Sequence, residues 1–77
     1  MKVMDTDKNS IPLDTDKIRK LRLDLGLSQA EAARRARLSG GRQRWNSIER
    51  GRDANLTIAT LENIANALGV DAKELLK

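Results

Sequence analysis

Residues 28–52 read SQAEAARRARLSGGRQRWNSIERGR, a stretch with two short helical patterns separated by two glycines. Between Arg34 and Arg52 it carries seven arginines and a single acid, hence a net charge of +6, in a chain whose total is +4. The remainder of the chain therefore sums to −2. Positive charge concentrated on one face of a small domain most often meets a phosphate backbone. The charge pattern therefore indicates nucleic acid as the partner.

The composition limits the other classes of function. A length of 77 residues predicts one domain with a single small core. The chain has no cysteine and no histidine, so the usual nucleophile, general base and zinc ligands are missing. The acids Asp5, Asp7, Asp14 and Asp16 lack the spacing and glycine of a calcium loop. We expect neither an enzyme nor a metal or cofactor site.

The chain also lacks export and membrane signals. Its apolar stretches fall short of the ~18 residues of a membrane span, and no apolar signal-peptide core precedes Pro12. We therefore expect a cytoplasmic protein. Residues 1–13 show no periodicity, which predicts a flexible N-terminal arm, and residues 14–77 form the predicted domain.

The first helix is predicted against a conflicting signal. Leucines alternate with other residues in a pattern typical of a strand, at Leu21, Leu23, Leu25 and Leu27. Ile18, Leu21 and Leu25 instead follow helical spacing, and Gly26 stands at the position of a C-terminal cap. We interpret the segment as helix, with Leu25 on the buried side and Leu23 off it.

The second and third helices flank Ser39-Gly40-Gly41. Ser28 and Glu31 have capping-box spacing, so a helix should run from Gln29 to about Arg37. It is predicted to approach its neighbour closely through small residues: Ala32, Ala33 and Ala36. A third helix should span Arg42–Arg50 with Gly51 as its cap. Trp45, spaced with Ile48, is interpreted as a core anchor rather than a base-stacking residue.

Two further elements complete the predicted fold. Thr57 caps a fourth helix that ends at Gly69 and has an apolar stripe of Ile58, Leu61, Ile64, Ala65 and Leu68. Asp71 and Glu74 form another capping box, which predicts a brief fifth helix that closes at Leu75 and Leu76. The fold class is therefore all-α, a compact five-helix bundle with a helix-turn-helix.

The third helix carries the chemistry of base recognition. Arginine donates two hydrogen bonds to guanine, glutamine or asparagine pairs with adenine, and serine bonds either base in the major groove. These residue types occur together near the start of a short helix that follows another short helix, which is the geometry of a major-groove reader. The candidate base-reading residues are Arg42, Gln43, Arg44, Asn46 and Ser47.

The order of these motifs resembles a known family, the lambda-repressor-like helix-turn-helix domains of phage Cro and cI type (XRE-like). The matching elements are Arg22, Gly26-Leu27-Ser28-Gln29, Ala33, Ile48-Glu49-Arg50-Gly51 and Leu68-Gly69-Val70. The resemblance covers about Asp14 to Leu76. It implies a five-helix DNA-binding domain encoded by a bacterium or phage and associated with the nucleoid.

The resemblance also implies individual roles. Gln29 matches a position that commonly contacts phosphate, and Arg42, Gln43 and Ser47 match positions that commonly face base edges. Arg22 and Glu49 match residues that form a structural ion pair between the first and third helices. Further phosphate candidates are Ser39 and Gly41 in the turn and Arg50 and Arg52 after the third helix, where simple solvation is an equal alternative. Arg34, Arg35 and Arg37 likewise fit a solvated helix face.

The chain departs from the family pattern at two places. About two residues more than usual separate Gln29 from Glu49, and we place them at Gly40-Gly41. Arg37 stands where the family usually has glycine. The longer turn can change the register of the third helix, which makes Arg44 or Asn46 the alternative reader.

The function predicted from these features is sequence-specific transcriptional regulation by a homodimer on a palindromic operator in double-stranded DNA. Repression by occlusion and activation through polymerase both fit. The rival hypothesis is an antitoxin or anti-activator that binds a protein partner through the same fold. Leu23 and the segment from Ile11 to Leu13 would serve either that partner or the dimer contact.

Overall fold

The structure, a computed structural model, describes residues 12–53 and 56–77. The elements in these ranges are α1 (Thr15–Asp24), α2 (Gln29–Arg35), α3 (Gly41–Glu49), α4 (Ile58–Leu68) and a 3₁₀ turn (Ala72–Leu75). The described part of the chain contains no strand, and its sole bridge pairs Leu13 with Leu76. The all-α prediction is confirmed.

The prediction of a fifth α-helix is wrong, because the last element is a 3₁₀ turn. The capping box at Asp71 and Glu74 is present, but it starts a single 3₁₀ turn of four residues. Leu76 is already extended, because it pairs with Leu13. That pairing leaves too few residues for an α-helical hydrogen bond to repeat.

Residues 1–11 of the predicted arm, including Ile11, lie outside the described residues. The described end of the arm is bonded to the C-terminal segment. The Lys77 N–H donates to the Pro12 carbonyl at 2.7 Å, and the Asp14 N–H donates to the Leu75 carbonyl at 2.7 Å. These bonds hold the two ends of the domain together.

The segment whose leucines fitted both a strand pattern and a helical pattern is a helix, α1. Asp14 caps α1 by accepting the Lys17 N–H at 3.2 Å, and Ile18 is fully buried. The predicted burial of Leu25 is wrong: its side chain is 49% exposed. The helix ends at Asp24 and the chain turns at Gly26, so Leu27 enters the core instead. Leu23 is exposed, as expected from its position off the stripe.

The capping box that begins α2 has both of its predicted bonds. Ser28 Oγ accepts the Glu31 N–H at 3.0 Å, and Glu31 Oε1 accepts the Ser28 N–H at 2.9 Å. The hydrogen bond from the Ser28 backbone holds the pKa of Glu31 below its ordinary value, with smaller help from the Ser28 side chain and nearby arginines. The box thus fixes the start of α2 as the sequence predicts.

The four α-helices end in the same Schellman hydrogen-bond pattern, with a left-handed residue after the last turn. Glycine fills that position in three of them, and Arg37, with φ of 56°, fills it after α2. The Leu38 N–H donates to the Ala33 carbonyl and the Arg37 N–H to the Arg34 carbonyl, both at 3.0 Å. This cap ends α2 at Arg35, two residues before the predicted end.

The core lies where α2, α3 and α4 meet. Trp45 is fully buried, which confirms its role as a core anchor, and the small residues of α2 let α3 approach closely. The predicted place of Ile58 in the buried stripe of α4 is wrong. Ile58 is the first residue of α4 and is 63% exposed, and the buried side chains begin at Leu61. The buried apolar residues are Ile18, Leu27, Ala32, Ala33, Ala36, Trp45, Ile48, Leu61, Ile64, Ala65, Ala67, Leu68 and Leu75.

The left-handed conformation of Arg37 generates a stability prediction. A side chain with a Cβ is strained there, whereas glycine is not but has more freedom when unfolded. Arg37→Gly should therefore raise the free energy of unfolding by roughly 0.5 to 1 kcal/mol, and Arg37→Ala should leave it nearly unchanged. Urea unfolding followed by Trp45 fluorescence measures both.

Gly26→Ala is the matched reverse change. Gly26 has φ of +70°, and a Cβ there would meet no atom within 4 Å, so only backbone strain is added. This variant should lose about 1 kcal/mol. An Arg37→Gly protein no more stable than Arg37→Ala would show that the position is unstrained.

Candidate functional site

Helix α3 has one anchored side and one open side. Trp45 and Ile48 point into the core, whereas Arg42 and Gln43, in its first turn, are exposed. Within residues 12–53 and 56–77, neither Arg42 nor Gln43 forms a side-chain hydrogen bond or ion pair. The open side thus presents free donors on a helix whose other side is fixed.

The anchored side depends on the carboxylate of Glu49. It accepts hydrogen bonds from Arg22 Nε at 2.6 Å and Nη2 at 3.2 Å, from Gln29 Nε2 at 3.1 Å and from Trp45 Nε1 at 2.6 Å. Arg22 Nη1 also donates to the Leu27 carbonyl at 3.0 Å. The structure therefore contains the ion pair between α1 and α3 and adds two donors that the sequence did not predict.

Burial and hydrogen bonding act on Glu49 in opposite directions. Burial is the largest single influence and opposes ionisation, but the bonds from Arg22, Trp45 and Gln29 together outweigh it and lower the pKa of Glu49. The Glu49 side chain is 5% exposed and that of Arg22 is 11% exposed. Because both charges are nearly buried, each depends on the other for compensation.

Gln29 is placed differently from its predicted role. Its Nε2 donates to Asn46 Oδ1 at 3.3 Å as well as to Glu49, so its amide hydrogens point into the protein. The structure thus joins a predicted phosphate contact, Gln29, to a predicted base reader, Asn46. Neither spacing nor residue type signals this bond, because it depends on how α2 crosses α3.

Arg44 is the second predicted reader with an internal partner. Its Nε donates to Asp53 Oδ2 at 2.7 Å, across the loop that follows α3. The side chains of Arg44 and Asp53 are 27% and 10% exposed. Asp53 was not among the residues predicted from the sequence, although an acid that closely follows an arginine-rich helix is a candidate partner for one of those arginines.

The remaining predicted residues lie at the ends of α3. Ser39 is exposed, and the Gly41 N–H donates to the Leu38 carbonyl at 3.2 Å, so this amide serves the turn. Arg50 and Arg52 are exposed and have no side-chain partner among the described residues. Ser47 is half-buried on the open side of α3.

An open groove runs between α3 and the start of α4. Its volume is about 700 Å³. Three predicted base readers, Gln43, Arg44 and Ser47, line it together with Arg52 and two threonines. The full lining is Gly40, Gln43, Arg44, Ser47, Arg52, Asp53, Thr57 and Thr60. The side chains along the groove can donate hydrogen bonds to an anionic, polar partner.

Among the described residues, no group of three or more acidic, histidine or cysteine side chains is placed to hold a metal ion. None of the described helices has the length and apolar character needed to cross a membrane.

Comparisons with known proteins give one match. The model of a family described as "Helix-turn-helix domain" matches residues 16–76, from α1 through the 3₁₀ turn. Neither the curated proteins nor the solved structures gave a match.

The lowered pKa of Glu49 generates a prediction about acid stability. A carboxyl whose pKa is lower in the folded state stabilises the fold above its unfolded pKa of about 4.3. That stabilisation is lost as the pH falls through the folded pKa. At pH 7, Glu49→Gln should lower the free energy of unfolding by roughly 3 kcal/mol, because Arg22 loses its counter-charge.

Urea unfolding at several pH values between 7 and 3 measures this effect. The difference between wild type and Glu49→Gln should shrink as the pH falls below about 4. Glu62→Gln, which removes an exposed acid on α4, is the control and should change stability by less than about 0.5 kcal/mol. A difference that is independent of pH would exclude ionised Glu49 as the source of the stability.

Proposed function

Because this chain belongs to the helix-turn-helix domain family, of the XRE/Cro-like type, we propose that it is a sequence-specific transcriptional regulator of Cro/cI type. Family membership indicates a DNA-binding regulator, and such proteins are typically not enzymes. The proposal adds that α3 enters the major groove of a palindromic operator and that two copies bind together.

One observation carries the proposal. The first turn of α3 exposes Arg42 and Gln43, which have no partner within residues 12–53 and 56–77, while Trp45, Ile48 and Glu49 hold the other side of the helix. A reader helix needs both properties, because free donors must be held in a fixed orientation to distinguish base edges. Arg42 is assigned to a guanine and Gln43 to an adenine. Ser47, one turn later on the same side, is the third contact.

Phosphate contacts are assigned to the ends of α3. Arg50 and Arg52 follow the helix as exposed, unpaired cations within the described residues, and Arg52 lines the groove that three predicted readers also line. Ser39 stands at the other end, and Gly41 is assigned only through its position there, since its N–H donates to the Leu38 carbonyl. Gln29 is assigned to phosphate only through its position at the start of α2, since its amide is bonded inside the protein.

A homodimer follows from the size of the domain. One module of this size buries limited DNA surface, and a second copy on an adjacent half-site adds affinity and specificity. Leu23 and Leu25 support a contact between chains: they are 56% and 49% exposed at the end of α1. The same apolar pair suits a different protein, so an antitoxin or anti-activator is the second candidate function.

The first test separates base reading from charge. Duplexes selected by the protein from random DNA give the probe, and a scrambled duplex of the same composition gives the reference. Arg42→Ala and Gln43→Ala should each cost roughly 1 to 3 kcal/mol on the selected duplex and relax preference at one base pair. Gel shifts at several salt concentrations measure both quantities.

Arg50→Ala and Arg52→Ala are the matched contrast in this test. They should weaken binding to the selected and the scrambled duplex by the same factor, and they should reduce the slope of log affinity against log salt concentration by about one unit. If Arg42→Ala and Gln43→Ala leave the preference unchanged, the assignment of the reading residues is wrong. If the wild-type protein enriches no sequence from random DNA, the protein-binding alternative replaces the proposal.

A second test addresses the dimer. Two protomers should bind one palindromic duplex with their α3 helices about 34 Å apart, on successive major grooves. Analytical ultracentrifugation with the selected duplex should show a 2:1 complex. Moving the half-sites apart by about half a helical turn should abolish paired binding. A 1:1 complex on both duplexes would contradict the dimer.

A further inference from the structure

The two arginines on α3 are held in different ways. Arg42 has no partner among the described residues, whereas Arg44 Nε donates to Asp53 Oδ2 at 2.7 Å. Asp53 lies in the loop after α3 and its side chain is only 10% exposed. A largely buried acid side chain therefore pairs with Arg44, the alternative base reader expected from the sequence.

The geometry leaves the useful end of the Arg44 guanidinium open. Its Nε is bonded to Asp53, while its two terminal nitrogens, Nη1 and Nη2, have no acceptor within the described residues. The planar guanidinium is rigid, so fixing one N–H fixes the direction of the others. Two parallel donors are what guanine O6 and N7 accept in the major groove.

The stem of Arg44 is fixed as well. Gly40 lies so close that a Cβ there would come within 3.2 Å of Arg44 Cβ. The turn before α3 therefore packs against the stem, and the loop after α3 holds the head. Arg44 lines the same groove as Gln43 and Ser47.

We propose that Asp53 is a positioning residue that holds Arg44 in the orientation needed to read a guanine. The inference rests on the proposed function and adds a residue that touches no base itself. Asp53 acts on DNA in two opposite ways. Its charge repels every phosphate backbone, whereas its bond to Arg44 favours the sequence that carries the guanine.

This double action distinguishes positioning from simple charge. Asp53→Ala should bind scrambled DNA somewhat more tightly and the selected duplex more weakly, so that the preference falls roughly tenfold. Arg44→Ala should lower the preference by a similar factor. Combined with Arg44→Ala, Asp53→Ala should lower it no further, because the acid acts only through the arginine.

The experiment measures gel-shift affinities of the full chain on selected and scrambled duplexes, with four variants: Asp53→Ala, Asp53→Asn, Arg44→Ala and the double alanine variant. Asp53→Asn keeps an oxygen that accepts from Nε and should retain part of the preference. Glu62→Gln removes one negative charge from the exposed side of α4 and should leave the preference unchanged. When the selection from random DNA is repeated, Asp53→Ala and Arg44→Ala should lose the base preference at the same position.

Three results separate the possible failures. A wild-type protein that does not prefer the selected duplex would contradict the proposed function itself. If the wild type has that preference but Asp53→Ala and Asp53→Asn both bind the two duplexes more tightly by the same factor, Asp53 is only a counter-charge. Loss of a different base position, or a further loss in the Arg44→Ala background, would show that Asp53 acts through another group.

Discussion

The Glu49 carboxylate is the interaction on which the rest of the domain depends. Arg22 of α1, Gln29 of α2 and Trp45 of α3 all donate to it. A carboxylate this deeply buried is costly without partners, and its donors come from three helices. The network therefore fixes the three helices relative to one another, and it does so directly behind the helix proposed to read DNA.

Internal hydrogen bonds divide the polar residues of the site into two classes. Gln29, Asn46 and Arg44 have internal partners, so their orientation is set before any ligand binds. Arg42 and Gln43 have none within the described residues and remain free to adjust. A side chain that is already held in place loses less conformational entropy on binding, whereas a free side chain must be ordered when it forms its contacts. Members of both classes are neighbours on α3, which explains why residue type alone could not rank them.

The small size of the core explains the regularity of the helix ends. With 77 residues and no cysteine, the chain relies on good local geometry. Capping residues begin α1, α2 and α4, and left-handed residues end the α-helices. Arg37 is the exception in residue type, since it adopts the conformation that glycine adopts after the other helices. A side chain with a Cβ is strained in this conformation, whereas glycine is not.

The sequence by itself determined what depends on local rules. Capping boxes, apolar periods and glycine stops predicted the α-helices, and the resemblance to the family implied the ion pair of Arg22 and Glu49. Only the tertiary structure decided the contacts that depend on how the helices cross. It turned Leu25 outward, reduced the last helix to a 3₁₀ turn through Leu76, and brought Asp53 to Arg44. These outcomes require distances between segments, and a linear pattern of residue types carries no such distances.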